Sequence, residues 1–248
     1  MKAFALPTLV ALFFCQCAAP HARQAIAPPP EISILRYAQQ RVTAIIVAAQ
    51  PDISGWVQQG FRPSNTPKDT DGGSATPITA DGYFLTADHV IRESSSRFIH
   101  LLYGIGKHHR LSRARVVWRD THYDLALIHA PIATPKFYTF SSLDQALPAG
   151  TPIFHGGLTT GLRPEYGVLN RRIGPERFFT PARRLSLSLA LQPGDSGGPV
   201  LDRTGQLIAI NSSVEYLIPL ETPIFTESSA MRPNVRKLMK IIERDRRN

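Results

Sequence analysis

The chain has 248 residues, of which 43% are hydrophobic and 19% are charged, and its formal net charge is +9. This composition excludes a wholly disordered chain, and the length allows a sizeable core without crosslinks. Basic residues occur along much of the chain without a nucleic-acid-binding motif, so we expect a solvated basic surface and no nucleic-acid partner. A loose association with the surface of a cell envelope is the alternative.

The first 25 residues have the order of a secretory signal peptide. Lys2 precedes an apolar stretch from Ala3 to Phe14, and small residues follow at 17–19. This order of charge, apolar run and small residues is typical of export signals, and the run is short for a transmembrane helix. We therefore predict a signal peptide over residues 1–25 and a periplasmic or extracellular protein. A buried N-terminal helix and a lipoprotein anchored at Cys17 are the alternatives.

Both cysteines of the chain, Cys15 and Cys17, lie in this leader. The mature protein is then exported without any disulfide, and its stability has to come from a core. This favours a bacterial envelope protein over a crosslinked extracellular animal protein.

The first half of the mature chain changes from an irregular start to short strands. Residues 26–30 form a proline-rich spacer, Glu31 to about Gln40 predicts a short helix, and 51–74 has the composition of a loop. Runs rich in branched and aromatic residues follow, bounded by polar residues or glycine, as is typical of strands. The predicted strands are Tyr83–Thr86, Phe98–Tyr103, Ala114–Trp118 and Leu125–Ile128.

The second half continues with strands and ends in a helix. Leu185–Leu191 alternates as a half-buried strand does, and Gln206–Ser212 is a further strand after a turn at 202–205. Apolar residues then fall at helical spacing between lysines and arginines, with Pro233 suited to a first turn. These residues are Val235, Leu238, Met239, Ile241 and Ile242. We predict a helix over about 233–245 that packs on an all-β body, with membrane-surface or partner binding as the alternative.

The stretch Gly194–Pro199 (Gly-Asp-Ser-Gly-Gly-Pro) carries the clearest chemistry. A serine hydroxyl is a poor nucleophile until a base takes its proton, and its attack on a carbonyl needs donors aimed at the oxyanion. Glycine at 194 permits backbone torsions that turn amides inward. We therefore predict Ser196 as the nucleophile and the amides of Gly194 and Ser196 as an oxyanion hole, against the alternative of a plain glycine-rich turn.

Candidates for the base and its partner precede the serine in the chain. His89 lies where the strand Tyr83–Thr86 ends, and an imidazole can accept the serine proton near neutral pH. Asp124 directly precedes the apolar strand Leu125–Ile128, at the edge of a core, where a carboxylate can fix the histidine tautomer. The other seven histidines have no such setting, so we expect them at the surface or in the core.

These motifs together resemble the chymotrypsin-fold serine peptidases, and within them the bacterial HtrA/Deg-like branch. The matching segments are Ala80–Ile91, Asp124–Leu127, Gln192–Val200 and Gly205–Asn211. The resemblance spans about 73–244 and implies two antiparallel β-barrels with the active site between them, within a peptidase domain over 41–248. The first barrel is expected at about 41–135 and the second at about 136–230.

Two departures from the Deg pattern stand out. Only 52 residues follow Ser196, so we expect no C-terminal PDZ domain. Asp195 stands where Deg proteases usually have asparagine. In digestive relatives this aspartate pairs with a new N-terminus made by cleavage, and no matching start is present here. We expect Asp195 to be held by an internal arginine or by backbone donors instead.

The predicted function is that of an exported serine endopeptidase acting on proteins or peptides through an acyl-enzyme, with no metal or organic cofactor. Ser196 attacks, His89 serves as base and then acid, and Asp124 orients His89. A catalytically inactive envelope protein that binds peptides on the same fold is the alternative.

The resemblance also implies where the substrate pocket lies. Ala190 would form its base, beside Leu191 and Gln192, and the opposite wall would come from three residues further along, Ser212, Ser213 and Val214. None of these carries a charge, and burying an unpaired ion is costly, so we expect cleavage after small to medium apolar residues. A loop shift that turns Glu215 into the pocket would favour basic residues instead.

Overall fold

The computed structural model describes residues 31–59, 69–92, 97–104, 109–158, 165–189, 191–217 and 224–248, with the backbone alone described at 165, 214–217 and 224–226. The predicted signal peptide and the spacer at 26–30 lie outside the described residues. Within them, thirteen strands form two antiparallel sheets, and three helices lie outside the sheets.

The first sheet has seven strands in the order β2-β1-β5-β6-β7-β4-β3. Its strands are β1 (Thr43–Ala48), β2 (Asp71–Ser74), β3 (Thr76–Pro77), β4 (Tyr83–Thr86), β5 (Phe98–Tyr103), β6 (Arg110–Asp120) and β7 (Leu125–His129). The helices α1 (Ile32–Gln39) and α2 (Ser54–Gln58) flank β1 in the chain, and a 3₁₀ turn at Asp88–Ile91 follows β4.

The second sheet has six strands in the order β10-β13-β12-β11-β8-β9. They are β8 (Pro152–His155), β9 (Glu165–Val168), β10 (Arg183–Leu187), β11 (Pro199–Asp202), β12 (Leu207–Leu217) and β13 (Ile224–Arg232). The helix α3 (Val235–Asp245) follows β13. This mostly β architecture of two barrel-like sheets with a C-terminal helix confirms the predicted fold class.

Apolar burial explains how the two sheets are joined. Each sheet has a core of its own, and a third cluster combines Leu85 and Leu127 of the first sheet with Leu201 and Ile210 of the second. Leu238 and Ile242 of α3 are buried in the same cluster. The helix therefore packs on the β body, as predicted, and the shared cluster fixes the two sheets against each other, since apolar burial is the dominant favourable contribution to folding.

A buried ion pair fastens the second sheet to α3. The side chain of Arg232 is 2% exposed and donates to Glu176 at 3.0 Å and to the carbonyl oxygens of Ser141 and Ile208. The other oxygen of Glu176 accepts from the amide of Val235 at 3.0 Å, at the start of α3. Burial lowers the pKa of Arg232, and the carboxylate of Glu176 opposes that change.

The segment 51–74, predicted as a loop, contains two elements. Trp56 and Val57 of α2 pack on Ile46 of β1, which stabilises a helix too short for a periodic pattern. The strand β2 has the sequence Asp-Gly-Gly-Ser, a poor strand former that takes its conformation from pairing with β1 (Ile45 with Gly73, Ile46 with Gly72). The loop prediction was therefore wrong for these two elements.

Several predicted ends also differ from the structure. The strands β6 and β12 extend beyond the predicted ranges 114–118 and 206–212, because both pair with neighbours over eleven residues or nearly so. The strand β10 ends at Leu187, although Leu189 and Leu191 beyond it are still buried and keep the alternation. The helix α3 begins at Val235, because Asn234 caps it by accepting from the amide of Lys237 at 3.0 Å. Pro233 therefore precedes the helix and does not form its first turn.

Candidate active site

His89 lies on the 3₁₀ turn that follows β4. Its neighbours Val90 and Ile91 are buried in the core of the first sheet. On the other side, the carboxylate of Asp88 is almost fully buried and accepts two hydrogen bonds from the guanidinium of Arg119 on β6, at 2.5 and 3.0 Å. Apolar packing and a bidentate ion pair thus fix the turn and leave the imidazole of His89 partly exposed.

Asp124 ends the tight turn between β6 and β7. Its φ of 48° lies in the left-handed region, which aspartate tolerates better than most residues. The turn is held by the amide of Tyr123, which donates to the carboxylate of Asp120 at 3.1 Å. This conformation directs the carboxylate of Asp124 toward His89, as the hydrogen bonds between the two residues demonstrate.

His89 and Asp124 form a fully connected pair. The ring atom Nδ1 of His89 lies 2.9 and 3.1 Å from the two carboxylate oxygens of Asp124, and the backbone amide of His89 donates to Oδ1 at 2.8 Å. A carboxylate at Nδ1 favours the tautomer with the proton on Nδ1, and Nε2 is then the acceptor. The predicted orienting partner of His89 therefore lies in hydrogen-bonding position.

A fourth hydrogen bond to this carboxylate comes from the second sheet. The hydroxyl of Ser212 on β12 donates to Oδ2 of Asp124 at 2.5 Å. Burial raises the pKa of Asp124, but the hydrogen bonds from His89 and Ser212 lower it, and the net pKa is below the ordinary value. Asp124 is thus held in its ionised form, as a carboxylate that orients an imidazole has to be.

Ser196 lies in a glycine turn wedged between the two sheets. Gly194 and Gly197 have φ values of 98° and 88°, and a Cβ at Gly197 would lie 2.0 Å from the carbonyl oxygen of Ser74. The amide of Ser74 donates to the carbonyl oxygen of Ser196 at 2.8 Å. The amide of Gly197 donates to the carbonyl oxygen of Asn211 at 2.9 Å. Glycine is therefore required at 197 on two grounds, backbone conformation and space.

The hydroxyl of Ser196 donates to the carbonyl oxygen of Ser212 at 3.1 Å. In the part of the chain that the structure describes, no hydrogen bond joins this hydroxyl to His89. Nucleophile–base hydrogen bonds are often looser without substrate than with it. Ser212 thus contacts both Asp124, through its hydroxyl, and Ser196, through its carbonyl oxygen.

The two amides predicted to form the oxyanion hole are available for hydrogen bonding. Among the described residues, no group accepts from the amides of Gly194 or Ser196. The hydroxyl of Ser74 donates to the carbonyl oxygen of Gly194 at 2.6 Å and fixes the peptide that follows it. The carboxylate of Asp195 is fully buried and accepts from the amide of Gln192 at 3.0 Å, so a backbone donor holds it, one of the two partners expected from the sequence.

The predicted pocket residues are only partly described. Ala190 lies outside the described residues, and only the backbone of Val214 and Glu215 on β12 is described. Leu191 is buried, whereas Gln192 and Ser213 are exposed. Ser212, predicted as a pocket wall, has the further role of a hydrogen-bond partner of Asp124.

Three side chains around the site were missed by the sequence analysis: Asp88, Arg119 and Ser74. Their positions depend on strand pairing between distant segments, for which the sequence carries no local signal. The described residues contain no group of three histidine, cysteine or acidic side chains placed to hold a metal ion. None of the described helices has the length and apolar character needed to cross a membrane.

The model of one protein family, the trypsin-like peptidase domain, matches residues 73–210. The match covers more than half of the chain and includes His89, Asp124 and Ser196. The chain belongs to the family of trypsin-like peptidase domains. The segment before residue 73, with α1, β1, α2 and the start of β2, lies outside the match.

Among its relatives, this trypsin-like peptidase domain is similar to the "Probable periplasmic serine endoprotease DegP-like" of Chlamydia trachomatis, at 28% identity over 154 residues. The identity to the protein of the same description from Pseudomonas putida is also 28%, over 149 residues. The matches cover 59% and 57% of this chain and 29% of each relative. The chain thus spans less than a third of the length of these relatives.

The fold is similar to that of solved HtrA-type structures. "HtrA-type protease AlgW with decapeptide" superposes with a TM-score of 0.60 at 20% identity, covering 85% of this chain and 66% of that one. The "Crystal structure of Deg5" gives a TM-score of 0.57 at 15% identity, covering 84% and 90%. Identities this low support the fold alone.

Proposed function

We propose that this trypsin-like peptidase domain is an exported serine endopeptidase that hydrolyses peptide bonds through a triad of Ser196, His89 and Asp124. The observation that carries the proposal is the hydrogen-bonded pair of His89 and Asp124, joined through Ser212 to the nucleophile turn of Ser196. Histidine, carboxylate and serine in this arrangement are the parts needed for acyl transfer.

The first half of the reaction forms an acyl-enzyme. The hydroxyl oxygen of Ser196 attacks the substrate carbonyl carbon, its proton passes to Nε2 of His89, and the carbonyl oxygen becomes an oxyanion held by the amides of Gly194 and Ser196. The carbon–nitrogen bond then breaks, and His89 gives the proton to the leaving amine. The ionised carboxylate of Asp124 stabilises the imidazolium between these two steps.

The second half releases the product and restores the enzyme. A water molecule loses a proton to Nε2 of His89 and attacks the ester carbonyl carbon. The ester bond breaks, the product leaves as a carboxylic acid, and His89 returns the proton to the oxygen of Ser196. Every proton taken by His89 is returned, so the mechanism consumes only peptide and water.

Substrates are proteins or peptides with a small to medium apolar residue before the scissile bond. Leu191, Gln192, Ser212 and Ser213 bring no charge to the predicted pocket around Ala190, which disfavours charged side chains there. We expect modest discrimination among alanine, valine and leucine, about 10- to 200-fold per methylene at most. Export to the periplasm is supported by the leader sequence and by the description of the Chlamydia relative as periplasmic.

A peptide library tests the proposal. The wild-type protein and a surface control, Ser142→Ala, should cleave the library, and Ser196→Ala should not. Among matched chromogenic peptides, those with alanine, valine or leucine before the cleaved bond should react faster than those with arginine or lysine. Hydrolysis by Ser196→Ala at the wild-type rate would contradict the triad, and faster cleavage after arginine would contradict the pocket.

The alternative, an inactive peptide-binding protein, has one observation in its favour, because the hydroxyl of Ser196 donates to Ser212 and not to His89. Only an activated serine reacts with a fluorophosphonate, so labelling by such a probe distinguishes the two functions. Intact-mass measurement of the exported form tests the export part of the proposal. The product should lack about the first 17–27 residues, whereas an acylated Cys17 would favour the lipoprotein alternative.

A further inference from the structure

A cavity of about 330 Å³ opens at the β1–β2 edge of the first sheet. Its described walls come from β1 (Ala44, Ile45, Ile46), α2 (Trp56), the start of β2 (Thr70, Asp71, Gly72) and Leu158. None of the described residues predicted for the pocket before the scissile bond lines it. Its volume falls at the lower end of the range for pockets that hold small ligands.

Short hydrogen bonds connect this cavity to the catalytic turn. The hydroxyl of Ser74 accepts from the amide of Leu158 at 2.6 Å and donates to the carbonyl oxygen of Gly194 at 2.6 Å. Gly73 lies against the turn as well, since a Cβ there would be 3.1 Å from the carbonyl oxygen of Ser196. The cavity walls at Gly72 and Leu158 are therefore fixed relative to the nucleophile.

The strand β2 borders the cavity and forms the outer edge of the first sheet within the described chain. It pairs with β1 on one side, and its residues Asp71 and Gly72 are exposed. An extended peptide can add to such an edge, where main-chain hydrogen bonds give affinity and pockets for alternate side chains give specificity. Side chains along a strand point to opposite faces in turn, so only one of two adjacent peptide residues enters the cavity.

We propose that this cavity binds the side chain of the second substrate residue after the scissile bond, and that it selects a large apolar or aromatic side chain there. The inference rests on the proposed function, which places a scissile bond at Ser196. The first residue of the leaving segment then lies over Gly73, and the next, about 3.3 Å further along an extended chain, reaches Gly72 in the cavity wall.

The chemistry of the walls determines the class of side chain. Ile46 is buried, Trp56 is partly buried, and Leu158 is 43% exposed, so an apolar side chain would bury surface against all three. Asp71 is the charged member of the described wall, and Arg97 already pairs with its carboxylate at 2.6 Å. A second ring packed against Trp56 gains an additional aromatic contact, which favours phenylalanine or tyrosine over leucine.

Two substitutions change the cavity in opposite ways, since one adds a side chain to its wall and the other removes one. A Cβ at Gly72 meets only the carbonyl oxygen of Ile45, at 3.6 Å, so Gly72→Leu adds a side chain at a residue of the cavity wall without backbone strain. Leu158→Ala removes one apolar wall and leaves the backbone hydrogen bond to Ser74 in place. Gly174→Leu is the matched control, because a Cβ at Gly174 has no atom within 4 Å.

The test uses peptides that differ only at the second position after the cleaved bond, with phenylalanine, leucine or glycine. For the wild type and Gly174→Leu we expect kcat/KM to favour phenylalanine over glycine by about tenfold or more. Gly72→Leu should remove most of this preference, and Leu158→Ala should reduce it. A wild-type ratio near one, or an unchanged ratio in Gly72→Leu, would overturn the inference.

Binding of the same peptides to Ser196→Ala protein, measured by fluorescence anisotropy, separates this inference from the proposed function. Selective binding of the phenylalanine peptide, lost in Gly72→Leu, supports the cavity even if no peptide is cleaved, and the absence of cleavage then contradicts the proposed function alone. Cleavage without selectivity contradicts the cavity alone. If the protein shows no cleavage and no selective binding, both the cavity and the proposed function are contradicted.

Discussion

The two sheets hold the residues of the proposed triad by different means. In the first sheet, His89 and Asp124 are joined directly, and side-chain charge fixes their setting through the ion pair of Asp88 and Arg119. In the second sheet, Ser196 lies in a turn that glycines and backbone hydrogen bonds hold in place. A charged side-chain network thus supports the proposed acid–base pair, whereas backbone geometry supports the proposed nucleophile.

The two sheets also differ in how far the proposed triad is connected. The imidazole and carboxylate are already paired, but the hydroxyl of Ser196 donates to Ser212. The backbone of the turn is held by its hydrogen bonds to Ser74 and Asn211, so the side-chain torsion is the part of Ser196 that can change most easily. We therefore expect mutations in the first sheet to alter the acid–base chemistry, and mutations in the second to alter stability and the position of the nucleophile.

The largest effect should come from Asp124→Asn, which breaks the acid–base pair of the first sheet. The amide cannot stabilise an imidazolium and favours the wrong tautomer of His89, so kcat for peptide hydrolysis should fall by about 10⁴. The melting temperature should change far less than the activity. Asp144→Asn, at an exposed site, serves as control, and an equal loss of activity in both variants would contradict the role of Asp124.

Next in size is the effect of Glu176→Gln on the stability of the second sheet. The substitution leaves the charge of Arg232 buried without its carboxylate, and breaking a buried ion pair costs about 3–5 kcal/mol. Urea unfolding at neutral pH measures this loss. Asp81→Asn breaks the exposed pair with Arg246 and should cost about 1 kcal/mol or less. Similar losses of unfolding free energy in the two variants would show that the buried ion pair stabilises the protein no more than the exposed pair does.

Arg119→Met should lower activity through the position of His89. Asp88 loses its bidentate partner, the 3₁₀ turn loosens, and a displacement of about 1 Å can cost about a hundredfold in kcat. Arg119→Lys keeps one charged contact and should recover part of the loss. If kcat in Arg119→Met stays at the wild-type level while the protein remains folded, the ion pair does not position the histidine.

The smallest predicted effect concerns pH and Ser212. An aspartate with a lowered pKa in the folded state stabilises the protein above its unfolded pKa of about 3.9, and this stabilisation is lost as the pH falls through the folded pKa. Ser212→Ala removes one hydrogen bond that lowers the pKa of Asp124, so the stabilisation shrinks.

The measurement compares the free energy of unfolding at about pH 5 and about pH 2.5. The loss between these two conditions should be smaller in Ser212→Ala than in the wild type, by about 1 kcal/mol. Ser213→Ala, next to it on β12, should behave as the wild type does. A larger acid loss in Ser212→Ala would contradict the role given to this hydroxyl.

The sequence predicted those parts of the fold that depend on local composition. Tyr83–Thr86 and Phe98–Tyr103 are strands with the predicted bounds, because branched and aromatic residues bounded by turn formers favour a strand locally. Ser196 could also be predicted as the nucleophile from the sequence, because it and the glycines that shape its turn are neighbours in the chain. The pairing of His89 with Asp124 was predicted from their order and is present in the structure.

The parts that were missed depend on contacts between distant segments. The strand β2 exists because β1 pairs with it, and its own sequence favours a turn. The hydroxyl of Ser212 meets Asp124 across 88 residues of chain, and Arg119 meets Asp88 only once β6 and the 3₁₀ turn are in place. No local pattern encodes such contacts, because they follow from register and packing.

The central claim, that Ser196 is activated by His89, is tested most directly by fluorophosphonate labelling followed by peptide mapping. We expect the wild-type protein to gain one phosphonyl group, located on Ser196, and the His89→Ala variant to lose this reactivity while remaining folded. A wild-type protein that is folded and stays unlabelled, or one labelled at another residue, would contradict the account.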